Sequence, residues 1–330
     1  MKKIKNTAVL LLAFIMLLGF AGCGEKTNTD STDTADITFE TASSYIRAEK
    51  TKVASLGEAV GLGVYKFSVD RKYNYETTFY DEASEVKQAV ISDKADIAVL
   101  PIAEAAELCN EANGKVKILA VNSLGFFHII EKGEKIKSIA DLKGKTVYAA
   151  YEGTIYEPLI DYIFSANGIN PEKDINLKFS QSNADVSKLT ADGTAEIIIV
   201  PEPYASKILC DEEEYRRAID LNDEWNKISD VPLAQSVVVA RSEYIDSNPD
   251  IIKEFIGFNK ISINYLSANE YLPPIFLHDN GFCESVELAK QMILGCHTHF
   301  IDGAEMKAAV TAVLSEVYSI ALDEAYFYNG

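Results

Sequence analysis

The chain has 330 residues and a net charge of −19, with 48% hydrophobic and 25% charged side chains. That balance supports a full buried core in one large domain or two. It argues against a nucleic-acid partner, whose phosphates an acidic surface repels.

The N-terminus reads as a targeting segment. Lys2, Lys3 and Lys5 form a basic head, and residues 8–20 are an apolar run too short for an ordinary spanning helix. Ala21, Gly22 and Cys23 follow. Small residues before a single cysteine resemble a bacterial lipobox, in which the Cys23 thiol takes a diacylglycerol and becomes the new N-terminus. Phe20 departs from the usual aliphatic residue there. Residues 1–22 are therefore expected to be a lipoprotein signal peptide, and 23–36, polar and without apolar periodicity, a flexible tether. The lipid would hold an acidic body at an anionic membrane that otherwise repels it.

Residues 37–45 read as extended and 52–56 as a strand. Gly57 breaks that strand, and 58–69 reads as a helix. Gly61-Leu62-Gly63 is not a complete dinucleotide fingerprint; it reads as a helix packed closely on a sheet. Residues 73–80 alternate as a strand and 83–91 are helical. Then comes Ala95-Asp96-Ile97-Ala98-Val99-Leu100-Pro101, a buried strand running into a proline. One hundred residues later Ala195-Glu196-Ile197-Ile198-Ile199-Val200-Pro201 repeats the pattern. Each copy follows a helix and a polar turn. Near-continuous apolar strands after helices indicate parallel sheets covered on both faces, and a unit recurring at this separation indicates two similar lobes.

Between the copies, 102–110 reads as a helix, 116–121 as a strand and 126–131 as its continuation, a natural crossover. Residues 146–151 form a strand and 155–167 a helix capped by Thr154. Residues 175–179 are a strand. Beyond the second copy, 217–221 reads as extended and Trp225, the single tryptophan, lies in a polar stretch. Residues 236–240 are a strand suited to the return crossover. The remainder, 249–267, 271–279, 284–294 and 303–322, reads as helical. The lobes are expected at 37–124 plus 237–330, and at 125–236. Beyond Cys23, Cys109, Cys210, Cys283 and Cys296 allow three pairings; sequence leaves bridges and free thiols both open.

Ala95 to Pro101, Asp141-Leu142-Lys143-Gly144-Lys145-Thr146-Val147, Gly168-Ile169-Asn170-Pro171 and Pro201-Glu202-Pro203 occur in that order. Together they resemble the nitrate/sulfonate/taurine-type solute-binding proteins of ABC importers, a group that includes the thiamine-pyrimidine-binding, NMT1/THI5-like proteins. Phe300-Ile301-Asp302-Gly303-Ala304-Glu305-Met306-Lys307 resembles a branch common in Firmicute lipoproteins. The resemblance covers about residues 50–310. It implies an α/β, two-lobed periplasmic-binding-protein fold (type II), with parallel-rich sheets and flanking helices. It also implies a ligand held in the cleft, an ABC permease with its ATPase as partner, a monomer anchored outside the cell membrane, and no cofactor.

Ligands of open α/β sheets bind beyond the carboxyl ends of strands, where helix N-termini offer free N–H groups. Four such ends are candidates: Leu56-Gly57-Glu58; Pro101-Ile102; Glu152-Gly153-Thr154 with Ile155 and Tyr156 behind it; and Glu202-Pro203-Tyr204. Asn122, Ser123 and Gln235 of the crossovers could add hydrogen bonds. Glu58, Glu152 and Glu202 would accept from a ligand amine or ring nitrogen and repel a sulfonate or nitrate. Otherwise each is a solvated carboxylate on a helix dipole. Members of the resembled family often carry glycine and a small polar residue where Glu58 stands. Tyr151, Tyr156 and Tyr204 suit stacking on a planar ligand or ordinary packing. The set favours a small nitrogen heterocycle over an alkanesulfonate.

Three other readings are weaker. The resemblance includes fungal pyrimidine synthases that use a pyridoxal cofactor and a cysteine-rich motif, which this chain lacks, so no enzyme is expected. Cys296-His297-Thr298-His299 could offer two metal ligands, but zinc takes three or four; no metal is expected, and the segment reads as lying away from the cleft. A receptor feeding a sensor kinase rather than a permease is compatible with the same residues.

Overall fold

The computed structural model describes residues 49–70, 73–268 and 270–330. The expected signal peptide, Cys23, the tether and the extended segment 37–45 lie outside the described residues. The two repeated strands take equivalent places in two sheets, and the chain is easiest to follow from them.

The first sheet opens with β1 (Thr51–Leu56), α1 (Glu58–Val69), β2 (Tyr75–Tyr80), α2 (Ala83–Ile91) and β3 (Ile97–Pro101). Strands β2, β1 and β3 lie side by side and parallel. After α3 (Ile102–Glu111) and β4 (Val116–Ser123), the chain leaves this sheet and enters the second at β5 (Phe127–Lys132). There β6 (Thr146–Ala149), α4 (Glu157–Ala166), α5 (Pro171–Asp174), β7 (Asn176–Phe179), α6 (Asn183–Ala191) and β8 (Ile197–Pro201) repeat the arrangement. Strands β7, β6 and β8 are again parallel neighbours. Then α7 (Tyr204–Asp211), β9 (Tyr215–Asp220) and α8 (Leu221–Trp225) complete the second lobe, and the chain rejoins the first sheet at β10 (Ser236–Arg241). The tail is α9 (Ser242–Ser247), α10 (Pro249–Ala268), α11 (Leu272–Asp279), α12 (Val286–Gly295), β11 (Thr298–Ile301) and α13 (Gly303–Val317). The sheet orders are β11-β4-β10-β3-β1-β2 and β7-β6-β8-β5-β9. In each, the repeated strand is flanked by an antiparallel crossover strand, β10 against β3 and β5 against β8.

The reason is burial on both faces. In β8, Ile197 and Ile199 join the large core that continues from the first lobe, while Ile198 and Val200 join a separate cluster with Val186, Ala205 and Ile208. A strand with no solvent face must be apolar at every position, which is the pattern the sequence repeats.

The two crossovers run side by side and are joined by buried polar groups. The Gln235 N–H donates to Ser123 O (3.0 Å), and the Phe126 N–H donates to Gln235 Oε1 (3.0 Å). The Ser123 and Ser236 hydroxyls meet at 2.6 Å. Asn122 donates to Val60 O (2.9 Å) and accepts from Asn259 Nδ2 (3.1 Å), so it ties α1 and α10 to the sheet. This approach explains Gly61 and Gly63. A Cβ at Gly63 would stand 2.3 Å from Asn122 Oδ1, and one at Gly61 2.4 Å from Leu56 O. The glycines serve close helix–sheet packing.

The structure corrects several sequence expectations. Helix α4 begins at Glu157, after a turn in which Thr154 Oγ1 donates to Tyr151 O (2.6 Å) and accepts from the Tyr156 N–H (3.2 Å). Trp225 is fully buried, with its indole N–H on Val231 O (2.8 Å). Residues 298–301 form β11 on the edge of the first sheet. Helix α13 stops at Val317, where Ser319 takes a left-handed conformation (φ 55°) and the Ile320 N–H closes on Leu314 O. All four described cysteines are free thiols; Cys109, Cys283 and Cys296 are buried and Cys210 is exposed.

Two helical glycines should respond oppositely to alanine. Gly257, exposed on α10 with nothing near its virtual Cβ, should gain about 1 kcal/mol from Gly257→Ala. Gly63→Ala should lose about 1–3 kcal/mol by overpacking against Asn122. Urea denaturation of each variant measures both signs.

Candidate functional site

Between the lobes lies a cavity of about 390 Å³, lined at one end by Leu56, Gly57 and Glu58 and at the other by Pro201, Glu202 and Tyr204. Tyr80, Asp81, Phe126, Tyr156 and Asn183 complete its polar and aromatic wall. Tyr80 ends β2, Asp81 follows it, and Asn183 follows β7. They occupy the same strand-end position as Gly57 and Tyr204, so the carboxyl-end rule extended to the outer strands would have found them.

Glu58 is part of the cleft wall. It opens α1 with φ 54°, a left-handed conformation that is strained for any residue with a Cβ. Its side chain reaches solvent through the cleft. Partial burial, and then the neighbouring Asp81 carboxylate, raise its pKa. Tyr204, on the facing lobe, is half-buried; burial and then Glu58 raise its pKa as well. Tyr156 is raised chiefly by burial. Its ring packs at 4.9 Å from Phe127 and 5.9 Å from Phe126. The cleft thus presents the Glu58 and Asp81 carboxylates flanked by aromatic rings.

The remaining sequence candidates are placed elsewhere. Pro101 and Ile102 are buried, and the Ile102 N–H donates to Gln235 O (2.9 Å), so this helix start is occupied by the crossover. Asn122, Ser123 and Gln235 engage the crossover network rather than the cleft lining, although Gln235 Nε2 lacks a hydrogen-bond partner. Glu152, Gly153 and Thr154 are exposed and Ile155 is half-buried. The Gly153 N–H donates to Glu157 Oε2 (2.8 Å), so this turn satisfies its own amide. Of that turn, Tyr156 lines the cavity. The Glu202 carboxylate points away from it: Oε1 accepts from Arg217 (2.6 Å) and Oε2 from the Ser206 N–H (3.1 Å). Pro203 follows a cis peptide and lines an adjoining cavity with Tyr204.

Glu202 belongs to a buried polar cluster behind the cleft. His128 is fully buried; its Nε2 donates to Gly295 O (3.0 Å) and lies 3.4 Å from Glu202 Oε1. On its other side, Nδ1 stands 3.4 Å from Asp220 Oδ2. That oxygen also accepts from His297 Nε2 at 2.6 Å. His297 immediately precedes β11 of the first sheet, so the tail reaches the second lobe here, behind the cleft and outside its lining. The Leu124 N–H donates to His297 O (3.0 Å), tying the first crossover to the same segment. Burial lowers the His128 pKa to about 3, against the raising influence of Asp220. Asp220 is lowered: the hydrogen bond from His297 and the charges of both histidines outweigh its desolvation. Among the described residues no cluster of three or more His, Cys, Asp or Glu side chains is arranged to hold a metal ion.

Residues 76–270 match the NMT1/THI5-like family model, and the chain belongs to that family. Its fold is that of the binding proteins of ABC import systems. An ABC transporter structure from Parabacteroides distasonis superposes with a TM-score of 0.68 at 18% identity, covering 85% of this chain and 99% of that one. The periplasmic aliphatic sulphonate binding protein of Escherichia coli superposes at 0.64 with 14% identity, covering 83% and 88%. Binding proteins of Brucella abortus and Brucella suis are 27% identical over 158 residues, 48% of this chain and 47% of theirs. The chain spans about half the length of these curated relatives.

The buried neutral histidine gives the fold a pH dependence with a definite sign. Unfolded, His128 titrates near 6.5; folded, near 3. Below pH 6.5 the unfolded chain binds a proton that the folded chain refuses, so stability falls as pH falls from about 6.5 toward 3. Between pH 7 and pH 5 this group should remove about 2 kcal/mol. Denaturant unfolding of His128→Gln at both pH values should show the loss reduced by about that amount.

Proposed function

We propose that the protein is an extracytoplasmic solute-binding protein, anchored through lipid on Cys23, that delivers a small organic molecule to an ABC permease. The ligand is a nitrogen heterocycle that donates or carries a proton, of the thiamine-pyrimidine kind. The observation that carries the reading is the composition of the interlobe cavity: Glu58 and Asp81 line it, the Glu202 carboxylate is turned to Arg217 behind it, and no Lys, Arg or His is among its lining residues. At about 4 Å and an effective dielectric near 20, each like-charge contact would oppose a sulfonate by about 4 kcal/mol. A ring N–H or amino group meets the same carboxylates favourably, and Tyr80, Tyr156 and Tyr204 offer π-faces to a planar ring. Closure of the lobes would bury the ring, and docking on the permease would release it. The basic head, apolar run and Ala21-Gly22-Cys23 support the anchor; metabolic labelling with palmitate, lost in Cys23→Ser, tests it.

A thermal-shift panel of 4-aminopyrimidine, taurine, an alkanesulfonate and nitrate tests the ligand class. A ligand at a hundred times its Kd adds about 2.7 kcal/mol, a rise of about 5 °C for a chain of this size. 4-Aminopyrimidine should give it and the anions should not; a taurine or sulfonate response would reverse the reading. Glu58→Gly should abolish the 4-aminopyrimidine shift. Relief of the left-handed backbone should leave the unliganded protein as stable or up to about 1 kcal/mol more so.

A further inference from the structure

A second cavity, again of about 390 Å³, adjoins the first and shares Gly57, Glu58 and Tyr204 with it. Its chemistry is different. Tyr65, Phe79, Phe282, Leu288 and Met292 form its walls. The Tyr65 hydroxyl donates to Asn280 O, so its polar tip is satisfied. The Tyr65 ring lies 4.4 Å from Phe282 and 5.9 Å from Phe79, forming an aromatic patch. At the rim, Lys207 of α7 meets Glu284 of the α11–α12 connection at 3.4 Å. Both side chains are largely solvated, and a pair this exposed holds the rim shut only weakly.

The two cavities meet at Glu58, so a ligand whose nitrogen group bonds that carboxylate can extend past Tyr204 into the aromatic chamber. We propose that this chamber is a second subsite, and that the natural ligand is a two-part molecule. Its polar heterocyclic head occupies the acidic cavity, and an aromatic or alkyl substituent lies against Tyr65, Phe79 and Phe282. The inference rests on the heterocycle reading of the first cavity. It goes beyond it by giving the ligand an apolar arm and the protein a means of rejecting the bare ring. A ring alone leaves the aromatic wall wet; an arm of about one phenyl removes that surface from water.

Isothermal titration of the full chain with 4-aminopyrimidine and with 5-(2-phenylethyl)-4-aminopyrimidine tests it. Burying one phenyl ring should tighten the longer probe by about 30-fold or more. Phe282→Ala should cut the affinity for the longer probe at least about tenfold more than that for the shorter. Should that variant fold poorly, Phe79→Leu keeps the chamber apolar and should lower the same ratio by a smaller factor. Equal affinities for the two probes would overturn the subsite and leave the head reading intact. A longer probe that binds tighter but keeps its advantage in both variants would place the phenyl elsewhere and overturn the subsite too. If neither probe binds, the head reading fails and the subsite with it.

Discussion

The structure depends on how two chain crossovers share one buried seam. Each sheet needs a strand to complete its core, and that strand is the one carrying the chain between the lobes: β5 beside β8, β10 beside β3. A buried crossover leaves backbone amides with nowhere to go unless they bond to each other. Gln235, Ser123, Ser236 and Asn122 solve that problem, with His297 closing on Leu124 from the tail. The seam fixes where the lobes meet, and therefore which strand ends face one another across the cleft. Most of its polar groups are consumed in doing so, and what the crossovers give the cavity wall is the Phe126 ring.

What remains to furnish the cleft are the strand ends themselves. Three of the four repeat-related turns start helices whose first amides or side chains are already engaged: Ile102 by Gln235, Gly153 by Glu157, Glu202 by Arg217 and Ser206. In the turn after β1 the Gly57 N–H is likewise engaged, by Tyr80 O (3.2 Å), but the Glu58 side chain lines the cavity. Glu58 is held in a left-handed conformation, beside Asp81, with its carboxylate facing the facing lobe's Tyr204. Backbone strain and like charge both oppose this placement in an empty protein, and both fit a carboxylate kept for a ligand. Behind it, His128 stays neutral because burial outweighs the adjacent Asp220 carboxylate.

The sequence carried the architecture openly and the site only in part. The strands at Ile97–Pro101 and Ile197–Pro201 were legible because burial on both faces forces an unbroken apolar run. Glu58 and Tyr204 were legible because they stand at strand ends. The fate of a polar residue was not legible, because it is decided by partners far along the chain. Asn122 looks like a ligand donor until Val60 and Asn259 are seen to hold it. Trp225 lies in a polar stretch, and its full burial shows only once Val231 O accepts its N–H. His297 looks peripheral until Asp220 of the other lobe receives it. Thr154 reads as a helix cap, but its hydroxyl, donating to Tyr151 O and accepting from the Tyr156 N–H, closes a turn that ends before the helix begins.

The central claim is that the interlobe cleft takes a nitrogen heterocycle on Glu58. A crystal structure of the protein grown with 4-aminopyrimidine tests it most directly. The ring should lie between Tyr156 and Tyr204, with a ring or amino nitrogen within hydrogen-bond distance of the Glu58 carboxylate. A ring bound outside the cleft, or within it but with Glu58 turned away to solvent, would contradict it.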